Sequence, residues 1–181
     1  VELDHARVVL EDRQAPRLVQ FLRGADGSLR KIDVPSDATA SVNREWLLVE
    51  LRSPWAVGGS TYPAGALLAG RFDDFMAGKR ELTMLYEPAA NSSLAGYNWT
   101  RHHLILNLLE DVKNRLLILT PGKDGWKREP FQGAPPFSTV SAWGIDPEKT
   151  DEFMLTLDGF LNPATLLYGS IGGSPEKLKV Q

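Results

Sequence analysis

Three histidines, a scatter of carboxylates and one serine set among glycines are the residues of this 181-residue chain whose types could do chemistry. An α/β-hydrolase presents its serine nucleophile in Gly-x-Ser-x-Gly, a sharp strand-to-helix turn that exposes the hydroxyl beside an oxyanion hole. The chain contains no such segment. Gly169-Ser-Ile-Gly-Gly173 has the composition with the serine out of place, and no helical pattern follows it, so it reads as a loop behind a strand. A triad would also need His5, His102 or His103 near an acid and a serine in space. His102 and His103 are neighbours; on a strand they would point to opposite faces and could not hold one ion together. They read as surface or turn histidines. Asp73-Asp74 and Glu110-Asp111 are adjacent carboxylates without converging geometry, and they read as a helix cap and a solvated turn. With no cysteine, a thiol nucleophile, a disulfide framework and a thiolate metal site are all excluded. No catalytic residue, no metal-ligand set and no cofactor is expected within the chain.

Five tryptophans, Trp46, Trp55, Trp99, Trp126 and Trp143, could line a carbohydrate groove, but each falls at or near the end of a separate apolar segment, where aromatics pack sheets together. Asn91-Ser-Ser93 and Asn98-Trp-Thr100 fit the glycosylation pattern, which is too short to carry a role by itself.

The elements that must position these residues are short and numerous. Apolar or alternating segments recur between turn residues over Arg7–Leu10, Arg17–Arg23, Leu29–Val34, Trp46–Arg52, Ala66–Phe72, Glu81–Glu87, Asn98–Arg101, His103–Leu108, Arg115–Leu119, Trp126–Phe131, Thr139–Ile145, Glu152–Leu157, Ala164–Gly169 and Lys177–Val180. So many strands in one domain imply a sandwich, a barrel or a propeller. Asp26-Gly27 and Asp124-Gly125 sit between strand pairs, where Asp-Gly supplies the positive φ of hairpin turns. Grouped in fours, the strands give units over about 37–88, 93–133 and 137–181, with a partial unit over about 1–36, and a period of about 40 to 50 residues is the propeller signature. Leu47-Leu-Val-Glu-Leu51 and Leu104-Ile-Leu-Asn-Leu-Leu109 put apolar groups on both faces of a strand, as blades stacked on two sides require. Ile105, Leu108, Leu109, Val112 and Leu116 also fall at helical spacing, so periodicity leaves a helix over about 104–118 as an alternative. A helical turn is expected at Asp73–Ala77, capped by Asp73 and ended by Gly78.

Net charge is −3 and the 20 basic residues are dispersed, so the chain has no electrostatic footprint for nucleic acid. The longest apolar runs fall far short of the roughly 20 residues of a membrane-spanning helix, so no membrane partner is expected. The chain begins without methionine and carries no leader-like segment, and both ends read as cuts inside a longer polypeptide. A cytoplasmic location is expected, with the periplasm as the alternative.

Arg52-Ser-Pro-Trp55, Gly58-Gly-Ser-Thr-Tyr-Pro-Ala-Gly65, Gly78-Lys-Arg-Glu-Leu82 and Ser93-Leu-Ala-Gly-Tyr97 followed by Thr100-Arg101, in this order and spacing, resemble the N-terminal β-propeller of prolyl-oligopeptidase-like serine peptidases. The resemblance extends more loosely to both ends. It implies an all-β fold, a partial β-propeller of about three to four four-stranded antiparallel blades, and it makes the apolar runs around 104–118 paired strands. It also implies a partner, the α/β-hydrolase domain that carries the serine, aspartate and histidine and is not in this chain, and a short peptide as the parent's substrate. Arg101, just past the Gly-Tyr-x-x-Thr segment, is the candidate binding residue: at a strand end it could face the central channel, or it could make a salt bridge between blades. Blades without neighbours and an open first edge lead to the expectation that the chain self-associates. The alternative is a stand-alone β-rich module for a protein or carbohydrate partner.

Overall fold

The computed structural model describes residues 6–11, 18–23, 26–111, 113–132, 139–159 and 162–180, and divides into two compact units, 1–88 and 89–181. Antiparallel strands make up nearly all of the regular structure.

In the first unit, β1 (Ala6–Glu11), β2 (Leu18–Arg23) and β3 (Leu29–Ile32) form a three-stranded sheet. A four-stranded sheet follows, ordered β4 (Thr39–Asn43), β5 (Trp46–Glu50), β8 (Leu67–Arg71) and β9 (Thr83–Tyr86). Between β5 and β8 the chain leaves the sheet as a separate hairpin, β6 (Trp55–Val57) and β7 (Ser60–Tyr62). Gly58 and Gly59 have φ of 60° and 78°, the pair of left-handed residues that a tight two-residue hairpin demands. A Cβ on Gly58 would also run into the Arg80 carbonyl, and the Tyr62 hydroxyl donates to the Leu82 carbonyl at 3.0 Å, so the hairpin lies against the 80–82 segment. The core joins Leu47, Val49 and Leu68 of the second sheet to Ile32 of the first, with Phe72 and Phe75 from α1 (Phe72–Met76). Gln20, 3% exposed on β2, closes the seam: its Nε2 donates to the Ala38 carbonyl at 2.7 Å and its Oε1 accepts from the Ala40 N–H at 3.0 Å. One side chain thereby stands in for a strand partner.

In the second unit, β10 (Ser92–Trp99), β11 (Leu104–Glu110), β12 (Lys113–Gly122) and β13 (Gly125–Pro130) form one four-stranded sheet in sequence order. The next is β14 (Thr139–Gly144), β15 (Glu152–Gly159), β16 (Asn162–Ser170) and β17 (Glu176–Val180). Their seam is apolar at its centre: Ile105, Leu116, Ile118 and Phe131 meet Val140, Phe153, Leu155 and Leu167, with the Phe131 and Phe153 rings edge to face at 4.9 Å. Amides line it as well. Asn107 donates to the Val140 carbonyl at 3.1 Å, Asn114 donates to Asn107 at 2.9 Å, and Asn98 donates to the Ala142 carbonyl at 3.3 Å.

The expected all-β propeller-type fold is therefore present, as three four-stranded sheets, one three-stranded sheet and the β6–β7 hairpin among the described residues. Both β5 and β11 are buried on both faces, as their unbroken apolar runs require. The helical alternative over 104–118 gives way to β11 and β12, which turn at Asp111 in the left-handed region at φ 47°. Other details differ. Strands β4, β6 and β7 were not legible: β6 and β7 have only three residues each, and β4 carries a single large apolar side chain, Val42. The expected strand at Asn98–Arg101 belongs to a longer β10 that ends at Trp99, with Thr100 and Arg101 in the turn beyond. Asp73 does not cap α1: the helix begins one residue earlier, because Phe72 is buried and its N–H is held by the Glu45 carbonyl at 2.8 Å. Gly78, at φ 96°, does follow the helix end.

Candidate functional site

Arg101 lies in the β10–β11 turn, residues 100–103, which docks on the β14–β15 turn, residues 145–151, within the second unit. Local sequence shapes both turns. Thr100 is fully buried and its N–H donates to the His103 carbonyl at 2.8 Å, closing the first turn. Asp146 builds the second: its carbonyl accepts from the N–H groups of Lys149 and Thr150 at 3.0 and 2.9 Å, and its carboxylate from that of Glu148 at 3.2 Å. Gly144 permits the contact, because a Cβ there would run into the Trp99 carbonyl.

Asp151 is the hub. Its Oδ1 accepts from the Thr100 hydroxyl at 2.9 Å and from the His102 N–H at 2.7 Å, and its Oδ2 lies 2.7 Å from His102 Nδ1. A carboxylate only accepts, so the His102 ring carries a proton on Nδ1. Partial burial pushes the Asp151 carboxyl up and is the largest single influence, but the hydrogen bonds from the His102 ring, the His102 N–H and Thr100 together outweigh it and hold it below the usual carboxylate range. Arg101 donates its backbone N–H to the Thr150 carbonyl at 2.9 Å and its guanidinium to the Lys149 carbonyl at 3.1 Å. The His103 ring takes a different partner, the Thr120 hydroxyl at 2.8 Å, and burial holds its pKa down.

This arrangement can latch one sheet end to the next. It does not form a hydroxyl–histidine–acid relay: the Thr100 hydroxyl donates to the acid itself and not to the His102 ring. The two adjacent histidines do take separate partners, through a turn and not a strand, with their rings 6.5 Å apart and edge to face. Nothing in the sequence pointed to Asp151, which lies 49 residues from His102 and meets it only where the turns of two separate sheets dock.

The remaining candidates lie apart. Ser170 ends β16 and a turn follows it. Asp74 pairs with Lys79 at 2.7 Å, and Glu110 with Arg115 at 3.2 Å, both on exposed surface. Trp99 and Trp126 pack together with centroids 6.0 Å apart, and Trp46 lies beneath the Arg71 guanidinium at 5.2 Å. Among the described residues no group of three or more His, Cys, Asp or Glu is placed to hold a metal ion. His5 lies outside the described residues.

Repeated four-stranded antiparallel sheets, packed face to face through apolar seams, define the class: a β-propeller segment. The segment is that of peptidase relatives. An uncharacterised peptidase of Sinorhizobium fredii is 29% identical over 157 residues, 82% of this chain and 21% of that protein. One of Rickettsia prowazekii is 26% identical over 147 residues, 76% of this chain and 20% of that protein. Among solved structures, a post-proline cleaving enzyme from Rickettsia typhi superposes with a TM-score of 0.79 at 21% identity, over 90% of this chain and 24% of its own. Prolyl oligopeptidase B from Galerina marginata does so at 0.63 and 16%, over 96% of this chain and 24% of its own. No family profile matches. The chain thus spans about a fifth of the length of the relatives it matches, its homologues are peptidases, and its structural neighbours are prolyl oligopeptidases.

Proposed function

We propose that the chain is the substrate-gating propeller part of a prolyl-oligopeptidase-like serine peptidase, capping an α/β-hydrolase domain supplied by the rest of the polypeptide. The observation that carries this reading is the superposition of 90% of the chain on a quarter of a post-proline cleaving enzyme. It is supported by what the sequence lacks, a Gly-x-Ser-x-Gly elbow. In this reading the four sheets are blade units of one propeller, and the turns at the sheet ends, Arg101 among them, bound the path of a short peptide. Latches such as Asp151 with Thr100 and His102 keep neighbouring blades together, so long chains are kept out without any residue of the propeller touching the scissile bond. The chain alone is expected to self-associate.

The test compares the parent polypeptide with a variant whose propeller seams are loosened by Asp151→Ala. The parent is expected to cleave a short proline-containing peptide and to spare one of about thirty residues, and the variant to accept the longer peptide with turnover of the short one retained. Equal size selectivity in both proteins would remove the gating role. Hydrolysis by the chain alone, blocked by a serine-directed phosphonate, would remove the division of labour itself.

A further inference from the structure

We propose that a cavity where β13 faces the β16–β17 turn is a binding site for a small arylalkylamine, a single aromatic ring on a one-carbon spacer that ends in an ammonium group, with Glu129 as its counter-ion. The cavity has a volume of about 170 Å³ and lies wholly within the second unit. Its floor is made by the buried side chains of Ile118, Phe131 and Phe153. Phe131 continues the strand pairing one residue past β13, its N–H donating to the Leu116 carbonyl at 3.1 Å, and its ring meets that of Phe153 edge to face at 4.9 Å. Phe153 has room for its ring because its register partner is Gly169, where a Cβ would come within 2.9 Å of that ring. Ile171 forms a wall and is fixed by its N–H, which donates to the Asp151 carbonyl at 3.0 Å. The space stays open because the next two residues bring no side chains: Gly172 sits at φ 88°, which the turn reserves for glycine, and Gly173 follows it.

Size and lining choose the ligand. An apolar cavity of about 150 Å³ accommodates benzene, so this one holds a single ring and a short substituent. The Phe131 and Phe153 rings offer edges and faces to which an aromatic guest is better matched than an aliphatic one. Glu129 is the one charged side chain among the described residues that line the cavity. Register sets it opposite Ile118, so the two stand on the same face of the sheet with Cβ atoms about 5 Å apart, and the carboxylate lies beside the floor. One methylene between ring and ammonium spans that distance. Lys127 lies 2.9 Å from Glu129, but both side chains are exposed and such a pair contributes little, so an incoming ammonium displaces it or shares the carboxylate.

Titration of the 181-residue chain with benzylamine, followed by backbone amide NMR, tests this. Saturable shifts at Phe131, Phe153, Ile171 and Gly172 are expected, with a dissociation constant on the order of 1 mM for a ligand of about eight non-hydrogen atoms. Benzyl alcohol, which keeps the ring and loses the charge, is expected to bind about fivefold more weakly, and benzoate not at all. Glu129→Gln, a change at an exposed position, should bring benzylamine down to the affinity of benzyl alcohol. Ile171→Trp fills the cavity and should abolish the binding of both while the rest of the spectrum is unchanged; if that variant does not fold, Glu129→Gln decides alone. Benzoate binding as tightly as benzylamine, or benzylamine indifferent to Glu129→Gln, overturns the proposal. Absence of any saturable shift up to about 20 mM overturns it too. Binding that appears only after Phe137→Ala gives the cavity to a ring of the chain itself and likewise overturns it.

Discussion

The two units solve one problem by different means. Each must bury the backbone of a sheet's first strand against the sheet before it. In the first unit a single side chain, Gln20, satisfies both a donor and an acceptor of the 38–40 backbone in a fully buried position. In the second the task is spread over Asn98, Asn107 and Asn114 and reinforced at the sheet end by Thr100, His102 and Asp151. A concentrated solution is rigid but depends on one residue, and a distributed one loses little with any member.

The sharpest way to break that comparison is to remove the concentrated contact. Gln20→Ala strands a buried N–H and a buried C=O and leaves a cavity, and should cost roughly 3 kcal/mol. Asn107→Ala, in the distributed seam, should cost about 1 kcal/mol. Urea unfolding of each variant, with hydrogen exchange read separately for the two units, gives both values. Equal losses would show that neither seam is the weaker design.

Next in size is Gly144→Ala. The added Cβ meets a backbone carbonyl, Trp99, which cannot swing aside as a side chain would, so the two turns must part. A loss of about 2 kcal/mol is expected, confined to the second unit, in the range of overpacked sites. Exchange protection lost first at 100–103 and 145–151 would locate it; loss spread through the first unit would contradict it.

A smaller effect should come with acid. The half-buried His103 has a pKa below its ordinary 6.5, so its contribution is complete above that pH and is lost as pH falls through the depressed value. Asp151, below its ordinary 3.8, contributes fully above that value and loses its contribution further down. Glu129, His102 and Asp151 supply the charges around His103. In the first unit the shifted acid is Asp26, which is fully exposed beside Ser28. Between about pH 7 and pH 5 the second unit should therefore lose exchange protection ahead of the first, and His103→Gln should flatten that loss. Parallel loss in both units would mean that His103 does not govern acid sensitivity.

How far these features could be read beforehand depends on their range. Continuous apolar runs such as Leu47–Val49 and Leu104–Leu106 announced strands covered on both faces, and Asp-Gly pairs announced hairpins, because local chemistry decides both. The Thr39–Asn43 strand did not announce itself: its burial comes from Gln20 and Ile32, contacts made by residues far off in sequence. The same holds for the site. Arg101 stood out as a charge next to a recognisable segment, but its partners at Lys149 and Thr150, and the whole Asp151 hub, arise from the pairing of turns about fifty residues apart.

The smallest effect concerns two turns of matching kind. Arg44 links β4 to β5 at φ 51°, and Asp111 links β11 to β12 at φ 47°. Left-handed backbone costs an ordinary L-residue about 1 kcal/mol, whereas the short polar side chain of aspartate tolerates it through local hydrogen bonds. Asp111 has such support: its N–H donates to the Asn91 carbonyl at 3.0 Å and its carboxylate accepts from the Asn91 amide at 3.0 Å. Replacing Arg44 with glycine relieves the strain, but it also frees the unfolded chain and removes the arginine's own contacts, so the net gain should be about 0.5 kcal/mol. Asp111→Gly removes supported structure for no relief and should lose about 0.5 to 1 kcal/mol. Opposite signs in urea midpoints are the expected outcome, and a shared sign would show that turn strain is not what distinguishes the two units.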